Sequence, residues 1–349
     1  MTVYVAVDFH ARQQTISYCD LADGEIHRRK LVHQKDDVRG FYEQFTGEVI
    51  VGLEASGYSA WFEQMLADLR HTVWLGNPAE IRRKAPRRQK NDRRDADLML
   101  DLMLKGDFPK VYTFSEESRT VLRQLRYRHK LVKVRTIAKN SLHAIGINAG
   151  LPLKRQLLTE KGIAQLQALS LSPVLAQQRD EWLQLIALMN RQIAAVETAL
   201  QQRAQEDAAV DLLRTHPGIG LLTALALRYT LWPIARFPTT RCVTAYVGFD
   251  CIEEQSDERR RMGSISKAGS RLLRFLLNEA GQTAARFDPE LKRFYKRLVH
   301  RRDKPKAKVA VARKLLVRSF IMLRDQIDYA EFVRRGVAAR AARETHSPS

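Results

Sequence analysis

The sequence contains few cysteines and no long apolar run. Only three of its 349 residues are cysteines, and their spacing forms neither a paired disulfide framework nor a CxxC zinc motif, which is typical of a reducing compartment. No apolar stretch reaches the roughly 18 residues that span a bilayer. The first residues, MTVYVAVDFH, show no basic region followed by a long apolar one. We therefore expect a cytoplasmic protein with no membrane partner.

Acidic residues are too few to balance the basic ones. Lys and Arg number 59 against 39 Asp and Glu, so the formal net charge is +20 at pH 7. Such an excess attracts phosphate backbones, which makes nucleic acid the first hypothesis for a partner. Ribosome-bound and membrane-surface proteins show the same excess, so charge alone indicates only a class of partner.

Residues 1–112 have the pattern of an α/β domain. Apolar residues alternate over VYVAVDF, and Asp23-Gly24 is a turn pair that indicates a hairpin. The apolar run EVIVGLEASG is typical of a buried strand. A strand at HTVWL and three helices complete the order β-β-β-α-β-α-β-α, and the third helix is DRRDADLMLDLMLK. This order predicts a mixed α/β sheet.

Residues 113–205 are expected to be helical. Six apolar residues recur at alternating steps of four and three, the a/d pattern of a coiled coil: Trp182, Ile186, Met189, Ile193, Val196 and Leu200. The pattern suits either a seam between two chains, in a dimer or tetramer, or a helix hairpin that packs on itself. The helix before it is basic, as expected of either a solvated face or a nucleic-acid contact.

Residues 206–335 are expected to form a third, mainly helical region. It opens with two helical stretches around HPGIG, a turn that resembles a helix-hairpin-helix motif. The backbone amides of Gly218 and Gly220 could hold a phosphate there, whereas the alternative is a tight turn between core helices. Residues 336–349 are expected to be a disordered tail.

Four carboxylates are the candidate chemistry. Asp8 and Glu54 fall at the ends of two predicted strands, while Asp92 and Asp95 lie three apart on one predicted helix. Oxygen ligands of this kind hold Mg²⁺, with Mn²⁺ as a substitute, and a two-ion site can serve phosphodiester displacement. Singly, each acid is more often a solvated side chain or a cap, and Asp92 is a good helix N-cap. Asp97 and Asp101 are second-choice ligands.

Basic residues surround the last two acids. In IRRKAPRRQKNDRRDAD, five cations are candidates for holding a phosphate backbone beside the metal: Arg87, Arg88, Lys90, Arg93 and Arg94. The alternative is a basic loop that merely balances the acids.

The motifs VAVDFH, VGLEASGY and KNDRRDADLM, followed by HPGIG, AYVGF and GSISKAGSRLLR, resemble the DEDD transposases of insertion sequences. These include bridge-RNA-guided recombinases, and Piv-type DNA invertases are related. The resemblance spans nearly the whole chain. It implies a RuvC-like (RNase H-like) N-terminal domain, a coiled-coil region and a C-terminal transposase domain, with the metal-binding acids at Asp8, Glu54, Asp92 and Asp95.

The resemblance also implies a serine nucleophile that becomes covalently joined to DNA. Its counterpart is Ser256, although Asp257 stands where the family usually has Gly. Ser264 and Ser266 are the fallback candidates. After the serine, Lys267 and Arg271 belong to a basic cluster suited to nucleic acid, and RFYKRLVHRRDKPKAKVAVARKLLVR mixes aromatic and basic residues. Core packing is the alternative explanation for those aromatics.

The leading hypothesis is an insertion-sequence transposase that cleaves and rejoins DNA through a phosphoserine, guided by a bridge RNA. A Piv-like invertase would use the same chemistry at a site that protein reads. A RuvC-like junction nuclease would cut with water and leave no protein bound to DNA. A binding protein without catalysis is the fourth alternative.

Overall fold

The computed structural model describes residues 2–33, 35–85, 92–151, 156–256, 259–301 and 303–344. The chain divides into two compact units, residues 1–114 and residues 115–349. The second unit therefore takes in both the helical region and the C-terminal region that the sequence separates. Within the described residues, no helix is long and apolar enough to cross a membrane.

The first unit is built on one five-stranded sheet in the order β3-β2-β1-β4-β5. Its strands are β1 (Thr2–Phe9), β2 (Gln13–Asp20), β3 (Ile26–Val32), β4 (Glu48–Glu54) and β5 (Thr72–Gly76). The first three strands form antiparallel pairs, whereas β4 and β5 extend the sheet in parallel from β1. The predicted mixed sheet is confirmed.

Four helices accompany this sheet: α1 (Lys35–Glu43), α2 (Ala60–Asp68), α3 (Pro78–Lys84) and α4 (Asp92–Leu104). Helix α3 is not among the elements predicted from the sequence. Two local signals start this helix, because the Asn77 side chain accepts a hydrogen bond from the Ala79 amide and Pro78 occupies the first turn.

Each face of the sheet buries its own apolar cluster. Val5, Val7 and Leu53 pack toward α1 and α2 on one face. Ala6 and Ile50 pack toward α3 and α4 on the other. Since side chains alternate along a strand, Asp8 and Glu54 belong to the face that α4 covers.

Helix α4 contacts the sheet at two places along its length. A Cβ at Gly52 would overlap the Met103 sulfur, so the helix lies directly on β4 there. The Asp97 carboxylate accepts hydrogen bonds from Ser17 Oγ at 2.6 Å and from Arg28 Nε at 2.9 Å. Asp97, a second-choice metal ligand by sequence, therefore ties α4 to β2 and β3.

The second unit is largely helical. Its helices are α5 (Glu116–Asn148), α6 (Glu160–Gln167), α7 (Pro173–Ala204), α8 (Ala208–Arg214), α9 (Leu221–Leu231), α10 (Thr240–Val247), α11 (Arg271–Phe287), α12 (Pro289–Arg301), α13 (Lys304–Asp325) and α14 (Tyr329–Glu344), with a 3-10 turn at Ile234–Arg236. This unit also contains an antiparallel hairpin of β6 (Cys251–Ser256) and β7 (Arg259–Ile265), which is not among the predicted elements.

The apolar seam of α7 packs against α5 of the same chain. Met189 and Ile193 bury against Leu131, while Ile186 lies in one cluster with Leu142. Positions that increase along α5 meet positions that decrease along α7, so the two helices are antiparallel. Of the two alternatives for this pattern, the structure shows the helix hairpin within one chain.

The expected disordered tail is corrected in part. Residues 336–344 continue α14 to Glu344, because RGVAARAARE is rich in Ala and Arg, which favour helix. Glu331 also bonds Arg334 and Arg335, one turn further along the helix. Residues 345–349 lie outside the described residues.

Candidate functional site

Two of the four predicted acids are neighbours across parallel strands. Val7 of β1 lies opposite Leu53 of β4, and the next residue in each strand is Asp8 and Glu54. Their side chains are 14% and 37% exposed. The sheet therefore presents a pair of partly exposed carboxylates at one edge, on the face that α4 covers.

Each of these carboxylates has a basic neighbour. His10 Nε2 lies 3.1 Å from Asp8 Oδ2, and the guanidinium of Arg82, from α3, lies 3.7 Å from Glu54 Oε1. His10 is not among the site residues predicted from the sequence, although VAVDFH places it two residues after the acid. Such contacts hold carboxylates in position without burying them.

The other two acids lie in the first turn of α4. The helix begins at Asp92, whose side chain lies outside the described residues. Asp95 is half-buried and precedes Ala96, which faces the sheet. Among the described side chains, no three of His, Cys, Asp or Glu form a group that could hold a metal ion. Asp101, a second-choice ligand, pairs with Lys105 at 2.8 Å.

Of the five cations predicted to hold a phosphate backbone, two lie within the described residues. Arg87, Arg88 and Lys90 lie outside the described residues. Arg93 and Arg94 are exposed in the first turn of α4. These two arginines therefore lie on the same helical turn as Asp92 and Asp95.

The candidate nucleophile lies at the end of a hairpin. Ser256 is the last residue of β6 and pairs with Arg259 of β7, while its side chain and residues 257–258 lie outside the description. Ser264 is exposed on β7. Ser266 differs from both, because its hydroxyl donates a hydrogen bond of 2.5 Å to the Asp250 carboxylate.

The base of this hairpin is held by a network that joins two sequence motifs. The Ser266 amide donates to the Asp250 carbonyl at 2.8 Å, and Arg274 donates to the carbonyls of Val247 and Ala268. Gly248 has φ +80°, and a Cβ there would overlap the Ala268 backbone. The segments AYVGF and SKAG are therefore packed directly together.

Lys267 and Arg271, two predicted nucleic-acid contacts, follow this network. Lys267 is exposed and adopts φ +56°, which is rare for a residue other than glycine. Arg271 is exposed at the first position of α11. The tight packing below them fixes where both backbones lie.

The HPGIG turn joins α8 to α9. Gly218 has φ +98°, and a Cβ there would lie 2.6 Å from the Ala284 amide nitrogen of α11. Gly218 is thus required for close helix packing. Gly220 is exposed and precedes α9, with open space around it.

A buried polar network lies beside this turn and is not among the features predicted from the sequence. The Asp288 carboxylate accepts hydrogen bonds from Tyr329 Oη at 2.7 Å and from Arg318. Burial opposes ionisation of Asp288, yet hydrogen bonds from the Leu291 amide and Tyr329, together with the Arg318 charge, hold its pKa below the ordinary value. Asp288 precedes Pro289 at the start of α12, a signal that predicts a cap but not this network.

His216 is the titratable group of that turn. It is 1% exposed, and its Nε2 lies 4.0 Å from Asp288 Oδ2. Its Nδ1 lies 2.9 Å from the Pro217 carbonyl oxygen, so Nδ1 carries the proton and donates it. Burial lowers the pKa of His216 to about 4, and the nearby Arg318 acts in the same direction.

Two family models match the chain. The DEDD transposase model of the IS110 type matches residues 5–145, a range that includes all four predicted acids. The model of the transposase IS116/IS110/IS902 family matches residues 210–296, which include the HPGIG turn and the hairpin.

Curated relatives agree with these matches. A probable family 20 transposase of Pseudomonas aeruginosa is 26% identical over 273 residues, 74% of this chain and 77% of the relative. The transposase for insertion sequence element IS1328 of Yersinia enterocolitica is 26% identical over 229 residues, 65% and 68% of the two chains. The transposase for element IS1111A of Coxiella burnetii is 24% identical over 296 residues, 82% and 81%.

Proposed function

Because the chain belongs to the DEDD transposase family of insertion sequences, we propose that it cleaves and rejoins DNA strands through a covalent serine intermediate. The observation that carries this proposal is the carboxylate pair of Asp8 and Glu54, placed side by side by the register of β1 and β4. A basic chain with net charge +20 suits a DNA substrate.

A RuvC-like fold is our proposal for the first unit. Three antiparallel strands are followed by two parallel ones in the order β3-β2-β1-β4-β5, with α4 across the face that carries the acids. Carboxylates at adjacent strand ends and on the helix that covers them are the arrangement that the family resemblance implies.

We assign the metal-binding role to Asp8, Glu54, Asp92 and Asp95. The donor set fits Mg²⁺, or Mn²⁺ in its place, because carboxylate oxygens are the ligands these ions prefer. Bound ions of this kind lower the pKa of a nucleophile and stabilise a leaving oxygen. The chain itself contributes position: His10 orients Asp8, and Arg82 lies beside Glu54.

Ser256 is the proposed nucleophile. Its Oγ forms a bond to the scissile phosphorus, the bond from phosphorus to the leaving strand oxygen breaks, and the serine proton is passed to solvent or to that oxygen. Attack by a hydroxyl of the new strand reverses these bonds and frees the serine. Ser256 suits this role because it ends β6 at the tip of a hairpin whose base is held by Asp250 and Ser266.

The proposal also includes a guide RNA that directs the chain to its DNA target. Four cations of α5 are exposed at helical spacing, so they share one face of that helix: Arg123, Arg126, Lys130 and Lys133. Such a face suits a phosphate backbone. Sequencing the nucleic acid that copurifies with the chain, and then assaying recombination after ribonuclease treatment, tests this part. Undiminished activity without RNA contradicts it and favours a Piv-like invertase.

The serine is tested by trapping on a nicked DNA substrate that carries the element's ends. We expect the wild-type chain to give a protein–DNA adduct that survives denaturation, and Ser256→Ala to give none. Ser264→Ala is the matched control, because Ser264 lies exposed on the same hairpin. An adduct that persists in Ser256→Ala refutes the assignment, and no adduct with any chain favours a nuclease that cuts with water.

The carboxylates are tested in the same assay. Asp8→Asn and Glu54→Gln are expected to abolish the adduct while leaving DNA affinity intact, since each change keeps the side-chain size but removes the charge. Asp101→Asn on α4 is the matched control, because its carboxylate pairs with Lys105. Full recombination by Glu54→Gln would contradict the assignment.

A further inference from the structure

A pocket of about 400 Å³ lies between α11, α12 and α13 of the second unit. Its volume is within the range of roughly 300–1,000 Å³ that is usual for small-ligand sites. Small and apolar residues, Gly281, Ala285 and Val311, form part of its lining.

Three cations line the same pocket: Arg286, Lys304 and Lys308. None of them forms an ion pair with a described residue, and no carboxylate is among the lining residues. Neighbouring lysines of α13 differ, because Lys306 pairs with Asp303 at 2.9 Å and Lys314 pairs with Glu290 at 2.7 Å. Like charges that converge without counter-charges repel one another, so an anion in the pocket would stabilise them.

An aromatic ring completes the lining. Tyr295 of α12 is half-buried. Aromatic rings of this kind are the surfaces on which unpaired bases stack, and cations beside them meet the phosphates of the same strand. A second pocket of about 460 Å³ is also lined by aromatic and basic residues, but three carboxylates, Glu117, Glu206 and Asp207, line it as well and offset the positive charge.

We propose that this pocket holds one unpaired nucleotide of a nucleic-acid strand. Its phosphate lies among Arg286, Lys304 and Lys308, and its base stacks on Tyr295. A paired base within a duplex cannot enter, because its faces are covered by neighbouring base pairs. This binding requires no strand cleavage, so it stands or falls separately from the serine chemistry.

The test measures affinity of the full chain for fluorescein-labelled oligonucleotides by anisotropy. Single-stranded DNA, single-stranded RNA of the same sequence and the matching DNA duplex are compared at several salt concentrations. For Lys304→Ala/Lys308→Ala we expect weaker single-strand binding, with the salt slope reduced by about 0.7 for each phosphate that the variant no longer neutralises. Tyr295→Leu should weaken single-strand binding about fivefold or more, whereas Tyr295→Phe should not.

The single variant Lys308→Ala is measured beside the double one, and Lys306→Ala is its matched control, since it removes one charge from the same helix but outside the pocket. A decrease in affinity confined to the pocket variants supports the proposal, and the DNA and RNA arms identify the strand. Equal decreases in Lys306→Ala and Lys308→Ala would show diffuse attraction and overturn it. So would Tyr295→Leu binding single strands as tightly as the wild type. Circular dichroism of each variant excludes misfolding as the cause.

Discussion

Acidification from pH 7 toward pH 4.5 is expected to destabilise the second unit because His216 is buried in its neutral form. Its pKa falls from 6.5 to about 4 in the fold. Below pH 6.5 the histidine is protonated in the unfolded chain but stays neutral in the folded chain. The free energy of unfolding therefore falls as the pH drops from 6.5 to about 4. At one unit of pKa per about 1.4 kcal/mol, the decrease over that window reaches about 3 kcal/mol.

The structure explains why His216 stays neutral in the folded chain. Nδ1 already donates to the Pro217 carbonyl, so a second proton must go to Nε2. That atom is buried and has no hydrogen-bond partner among the described residues. Asp288 lies 4.0 Å away, but its charge is shared with Arg318 and Tyr329. The carboxylate therefore compensates only part of the burial cost.

Hydrogen exchange read by mass spectrometry measures this destabilisation locally. Peptides from α8, α9 and α13 are compared at pH 7.0, 6.0 and 5.0, after correction for the intrinsic pH dependence of exchange. We expect their protection to fall in the wild-type chain and to stay level in His216→Gln, which cannot bind a proton. Equal slopes in the two chains, or a His216 NMR resonance that titrates near 6.5, would refute this reasoning.

Three further predictions concern packing and position. Gly218→Ala should lower the free energy of urea unfolding by about 2 kcal/mol or more, because it strains a left-handed backbone and crowds α11; Gly220→Ala, with open space around it, should cost under about 1 kcal/mol. Ser266→Ala should slow adduct formation without weakening DNA binding, since the Asp250 contact positions the hairpin, and Ser266→Thr should restore the rate. Asp97→Ala should lower the unfolding free energy of the first unit by about 1–2 kcal/mol, because it removes charged hydrogen bonds that are partly screened by solvent.

The sheet could be predicted because its strands carry their pattern locally. Alternation in β1 and the apolar run of β4 identify both strands and the acids at or next to their ends. The face that each acid occupies follows from the alternation of side chains along a strand, which puts Asp8 on the same face as Ala6 and Glu54 on the same face as Ile50. What the pattern could not supply is the pairing partner, and only the parallel register of β1 with β4 makes the two acids neighbours.

The hairpin and the buried network could not be predicted because long-range contacts determine them. The segment EEQSDERRRMG is rich in charged residues and shows no strand alternation. Its β structure rests on the packed base, where Ser266 bonds Asp250. The network under HPGIG likewise joins His216, Asp288 and Tyr329, residues from distant parts of the chain. No local sequence pattern predicts that these residues are in contact.

The seam of α7 shows what periodicity leaves undecided. A heptad pattern states that one stripe of a helix is buried, but not whether the partner belongs to the same chain. Here α5 is that partner, and polar contacts flank the apolar ones: Arg128 bonds Glu197 at 2.6 Å and Arg135 bonds Asn190 at 2.8 Å. A dimer through the same stripe would have to displace α5 and break these contacts. Association of two chains is therefore expected to use another surface, and mutation of the α7 stripe is expected to unfold the hairpin rather than separate subunits.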